Sequence, residues 1–110
     1  MATFDDFQKL DIRVGTVIHA EPNDRASVPA YKLRIDFGAE LGVKNSSAQL
    51  TENYAPESLK GRQVAAVVNF PPKKIAGFRS EVLVLAAVSE DAGTVLLRPD
   101  RDVPPGERVS

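Results

Sequence analysis

The run YKLRIDF, residues 31–37, constrains the fold more than any other part of the chain. Tyr31, Leu33, Ile35 and Phe37 alternate with Lys32, Arg34 and Asp36. A period of two puts the first set on one face of a strand and the second on the other. A strand with one apolar face must bury that face against more sheet, so the neighbouring segments have to supply it. DIRVGTVIHAEP is rich in β-branched residues and reads as a strand, with Gly15 marking a bulge or bend. VKNSSAQLT reads as a polar strand or an edge. QVAAVVNF and SEVLVLAAVS are nearly continuous apolar strands, and GTVLLRPD a shorter one before an extended tail, VPPGERV. Helix is scarce. Phe4, Phe7 and Leu10 suggest one N-terminal helical turn laid on the core. Pro56, Glu57 and Gly61 bracket a short helix in APESLKGRQ. The expectation is an all-β fold, a five-stranded Greek-key barrel with short helices.

The chain has 110 residues and no linker, so residues 1–110 form one domain. Two apolar runs, 63–70 and 81–88, are hard to hide in so small a barrel. Cover by a second copy is expected, which makes the chain a homodimer. No apolar run approaches the roughly 20 residues that span a bilayer, so no membrane insertion is expected. The start lacks the basic-then-apolar order of a secretory signal, and cysteine is absent, which suits a reducing cytoplasm.

Catalytic chemistry is hard to assemble from this sequence. Without cysteine there is no thiolate nucleophile, disulfide or cysteine-bound zinc. His19 is the only histidine, so no cluster of imidazole ligands exists, and neither metal nor cofactor is expected. No glycine-rich phosphate loop of the GxxxxGK[ST] or GxGxxG type occurs. The paired carboxylates Asp5/Asp6 and Glu90/Asp91 read as solvated turns. These absences point to a binding module rather than an enzyme.

The stretch VVNFPPKKIAGFRS, residues 67–80, is the one with something to offer a ligand. The formal net charge of the chain is −1, yet residues 54–80 hold Lys60, Arg62, Lys73, Lys74 and Arg79 against Glu57 alone. Pro71 and Pro72 fix φ and remove two donors, so the connection is stiff and loses less entropy on binding. Gly77 permits a tight turn. Asn69, Lys73, Lys74, Arg79 and Ser80 then present cations and hydrogen-bonding groups suited to phosphate, ribose or base edges. Phe70, Ile75 and Phe78, beside those cations, suit a peptide instead. The bland alternative is a solvated turn with ordinary surface lysines and aromatics packed on the barrel. Lys44, Asn45, Ser46, Ser47 and Gln49 belong to a second polar run, KNSSAQLT, that can form another wall of a groove; edge strands have the same composition.

Taken in order, LDIRVGTV, YKLRIDFG, the long segment from SSAQLT through LKGRQVAAVVNFPPKKIAGFRSEVLVLAA, and the closing LLRPDRDVPPGERV resemble the tRNA-binding domain family of oligonucleotide-binding (OB) folds. The resemblance covers almost the whole chain. It implies an OB-fold barrel whose terminal extensions build a homodimer, in a cytoplasmic protein without catalytic activity or metal. The combination of FDDFQKLDIRVG, SSAQLT and NFPPKKIAGFRSEVLVL is most similar to the branch described as chaperone-like and linked to protein export. That branch implies binding of peptides or unfolded secretory proteins; the wider family implies structure-specific tRNA binding as the alternative. In the wider family the positions matching Asn69, Lys73 or Lys74, and Ser80 face tRNA. Its tRNA-binding members follow the serine with glycine and methionine, where this chain has Glu81 and Val82.

Overall fold

The computed structural model describes residues 1 to 110. Strand β2 (Tyr31–Asp36) has the pattern its sequence demands: Leu33 and Ile35 are fully buried, while Lys32, Arg34 and Asp36 are not. It lies between β1 (Ile12–Pro22) and β3 (Val43–Ala48), antiparallel to both. A single turn of helix, α2 (Gly38–Leu41), connects β2 to β3. The other side of β1 pairs with β4 (Gln63–Val67), and β4 with the two-residue β7 (Leu83–Val84). The five-stranded order is therefore β3-β2-β1-β4-β7.

The two ends of this sheet meet, which nearly closes it into a barrel. Glu81 N donates to Asn45 O at 2.8 Å and Ser46 Oγ donates to Val82 O at 3.1 Å. Side chains complete the seam. Asn45 N donates to the Glu81 carboxylate at 3.1 Å and Ser47 N donates to Ser80 Oγ at 3.0 Å. Inside, Val17, Leu33, Ile35, Phe37, Leu50 and Leu59 have essentially no exposed surface. Each such side chain contributes about 1.5–3 kcal/mol through burial.

Several expectations are met and four are corrected. Helix α3 (Pro56–Leu59) begins at the proline as its sequence indicates. Gly15 is not a bulge: it pairs in register with Val64, and the irregularity falls at Ile18, between Val17 and His19. Glycine is needed at 15 for space. A Cβ there would stand 2.6 Å from Ile35 Cγ2 and 2.7 Å from Phe37 Cε1. SEVLVLAAVS is not one strand. It breaks at Leu85 into β7 and β8 (Ala86–Ser89), and β8 forms a separate hairpin with β9 (Gly93–Leu96). Helix α1 (Phe4–Gln8) forms but does not lie on the core; Phe4 is 70% exposed and none of its residues is buried. Its cause is local: Thr3 Oγ1 accepts from Asp6 N while the Asp6 carboxylate accepts from Thr3 N. Those two bonds to Thr3 hold the Asp6 carboxyl below its ordinary range.

The fourth correction concerns residues 73–80. The stiff connection expected between two strands is itself a hairpin, β5 (Lys73–Ile75) and β6 (Phe78–Ser80). Ala76 and Gly77 turn it with φ of 47° and 81°, the positive values that a two-residue hairpin turn requires. No helix is long and apolar enough to cross a membrane.

The C-terminal segment flanks β1. Gly106 N donates to Val14 O at 2.7 Å, Val14 N to Glu107 O at 2.9 Å and Val109 N to Ile12 O at 2.8 Å. The Gln63 side chain both donates to and accepts from the backbone of Val103, at 2.7 and 3.0 Å.

Candidate binding groove and basic hairpin

The hairpin β5–β6 sorts its residues into two faces. Cross-strand pairing places Lys73 opposite Ser80, Lys74 opposite Arg79 and Ile75 opposite Phe78. Alternation then gathers Lys73, Ile75, Phe78 and Ser80 on one face and Lys74 with Arg79 on the other. The first face turns toward the barrel: Ser80 is buried, Ile75 and Phe78 half-buried. The Lys32 ammonium lies 5.8 Å from the Phe78 ring centroid, a cation–π contact between β2 and the hairpin.

Beneath that inner face runs a groove of about 240 Å³. Phe70, Pro71, Ile75, Val82 and Leu83 give it apolar walls, Ser47 and Ser80 a polar floor, and Lys73 and Glu81 one charge of each sign. Phe70 and Leu83 are 43% and 49% exposed, so these walls are open to a ligand. A second groove of about 260 Å³ lies on the far side of Ile75, between β3 and the loop 26–30, and Gln49 lines it.

The outer face is different in kind. Lys74 and Arg79 are both exposed and stand directly across from each other. Neither belongs to any of the four ion pairs of the chain. Like charges in direct opposition repel, and an anion seated between them relieves the repulsion. Pro72 and Lys73 complete a cleft there.

The residues singled out from the sequence thus fall into separate places. Phe70, Lys73 and Ser80 line the first groove, and Gln49 the second. Lys74 and Arg79 share the outer cleft with Lys73. Phe78 sits on the hairpin's inner face under Lys32. Ser46 points into the barrel and has no exposed surface. Lys44, on the same strand, lines none of these grooves. Asn69 is exposed, but its side chain is engaged: Oδ1 accepts from Asp11 N at 2.9 Å and Nδ2 donates to Lys9 O at 2.8 Å. It fastens the end of β4 to the segment that enters β1. Ser47, from the polar run expected to wall a groove, lines both grooves. Three residues of the first groove escape the sequence reading. Val82 and Leu83 look like ordinary strand positions, and Glu81 reads only as a charge near the basic run.

The family whose description is "Putative tRNA binding domain" matches residues 12–108. Among curated proteins, the methionine–tRNA ligase of Methanococcoides burtonii is 42% identical over 106 residues. That alignment covers 96% of this chain but 15% of the ligase, so the chain spans only a small part of that enzyme's length. Among solved structures, the chaperone CsaA from Bacillus anthracis is 58% identical with a TM-score of 0.94, covering 100% of this chain and 99% of that one. CsaA from Picrophilus torridus is 51% identical, also at a TM-score of 0.94, with 100% of both chains covered.

Proposed function

The chain belongs to the tRNA-binding domain family, and from that premise we propose that it is a non-catalytic, chaperone-like protein that binds peptides or unfolded preproteins for export. The observation that carries this reading is the groove under the hairpin. Its walls are apolar, and Lys73 and Glu81 stand at its edge without pairing with each other. An apolar side chain fits the walls, and a peptide's own charges can answer both edge groups. A polyanion meets the Glu81 carboxylate instead. The likeness to two CsaA chaperones over the full chain supports the same reading.

The outer cleft favours a second reading, structure-specific tRNA binding. Lys74 and Arg79 form an unneutralised cationic pair, and the family description and the ligase relatives support it equally. In this reading the phosphates meet the hairpin's outer face while the apolar groove lies on its inner face.

A homodimer in the cytoplasm is the setting we propose. Leu83, Val95 and Leu97 are each more than a third exposed, and a second copy would cover them. Sedimentation velocity should show a two-chain species; a lone monomer removes this part of the proposal.

The groove itself is tested by substitution. Phe70→Ala should weaken binding of an unfolded, apolar protein by about 1–2 kcal/mol, roughly five- to thirtyfold in Kd. Phe78→Ala should act in the same direction by removing apolar surface from the hairpin's inner face. Unchanged affinities in a fluorescence titration would reject this surface as the binding site.

A further inference from the structure

We propose that the two grooves flanking Ile75 are halves of one cleft, closed by the Ile75 side chain and filled, when it withdraws, by an extended polypeptide segment with apolar residues at alternate positions. This rests on the peptide-binding reading and adds how the site opens and what shape of client it takes.

Ser47 and Ile75 line both grooves. The boundary between the two spaces therefore runs along Ile75 and Ser47, the residues common to both. Ile75 is half-buried and belongs to a hairpin held loosely. Residues 70–80 exchange no backbone hydrogen bond with the rest of the molecule; their only ladder is the one between β5 and β6. The ties are side chains. Ser80 Oγ accepts from Ser47 N at 3.0 Å, and Asn23 Nδ2 donates to Ile75 O at a long 3.4 Å. Phe78 rests under Lys32, and the Arg25 guanidinium packs against Gly77. A segment joined by so few bonds opens at a lower free energy than the strands of the barrel.

The chemistry along the cleft selects the occupant. Leu83 and Phe70 wall one end and Val28 the other, with Ser47 and Gln49 between and beyond them. Alternate side chains of an extended chain lie about 7 Å apart, so neighbouring apolar residues of one face can enter the two halves together. Ser47 and Gln49 can hydrogen-bond the peptide groups between. One cation and one carboxylate at the same end, Lys73 and Glu81, complement a chain carrying both signs of charge and disfavour a polyphosphate.

Reduced, carboxymethylated α-lactalbumin, which stays unfolded, is a suitable probe. Ile75→Ala should tighten its binding by about tenfold, because the competent state becomes more populated. Ile75→Trp fills both halves and should weaken binding by at least about tenfold. Hydrogen exchange gives a second readout that does not depend on the variants. Amides of residues 73–80 in the wild-type protein should exchange faster than those of β1 and β4, and slow when the probe binds. Equal affinity of both variants and the wild type would overturn the inference, as would weaker binding by Ile75→Ala, which would make Ile75 a fixed wall. If Phe70→Ala still weakens the probe in that case, the peptide-binding reading survives without the displaceable side chain. If the wild-type protein does not bind the probe, the reading itself falls.

Discussion

Replacing Lys73, Lys74 and Arg79 together by alanine should abolish a tRNA gel shift while leaving the fold intact. All three side chains are exposed, Lys74 and Arg79 on the hairpin's outer face and Lys73 bordering both the cleft and the groove, so their loss disturbs no core packing. Each cation that neutralises a phosphate contributes roughly −0.7 to −0.9 to the slope of log affinity against log salt. Removing three should flatten that slope by about 2–3, with a loss on the order of a hundredfold or more in affinity at physiological salt. The double change Lys74→Ala/Arg79→Ala should account for most of the effect, since these two form the opposed pair and Lys73 is shared with the groove. An unchanged shift would take the hairpin out of any tRNA interface.

Gly15→Val should be the most damaging single change to the barrel. The added Cβ would meet Ile35 and Phe37 at 2.6–2.8 Å. Ile35 and Phe37 are 0% and 1% exposed, so neither has free space to move into. Overpacking of this kind costs about 1–3 kcal/mol for a methylene, and valine adds two more carbons beyond the Cβ. A loss of about 3 kcal/mol or more in urea denaturation is expected, a large share of the roughly 5–15 kcal/mol that stabilises a domain. A wild-type midpoint would mean that Phe37 does not pack over Gly15 as described.

The barrel was legible because its evidence is periodic. Tyr31 to Phe37 alternates without exception, and the structure buries each apolar member. Pro56 at the start of α3 and Gly77 in the hairpin turn are residues with few other uses, and both stand where their backbone preferences put them. Gly15 shows where such reasoning stops. A glycine in a strand signals either a backbone irregularity or a close approach, and only the position of Phe37 decides between them. SEVLVLAAVS was misread as one strand for a similar reason: an apolar run carries no mark of where its hydrogen bonds change partner, and Leu97 takes over at Leu85.

The candidate site was half legible. Composition concentrated the cations and aromatics in residues 69–80, but their sorting onto two faces depends on the register of a three-residue ladder. Asn69 has the chemistry of a ligand-binding amide, yet its hydrogen bonds go to Lys9 and Asp11, which are about sixty residues away in sequence. Ser80 likewise spends its hydroxyl oxygen on the amide of Ser47. Contacts of that range have no local signature. Glu81 is the instructive case. A carboxylate beside a basic run reads as a partial neutraliser of that run, whereas here it accepts from Asn45 N and forms part of the groove.

In the proposed binding mode, apolar polypeptide is gripped on the hairpin's inner face, independently of the cations on its outer face. Titrating carboxymethylated α-lactalbumin into the wild-type protein at low and at high salt tests this most directly. Nearly constant affinity is the predicted result, since burial of apolar surface is not screened. An affinity that falls steeply with salt, in step with that of tRNA, would contradict it.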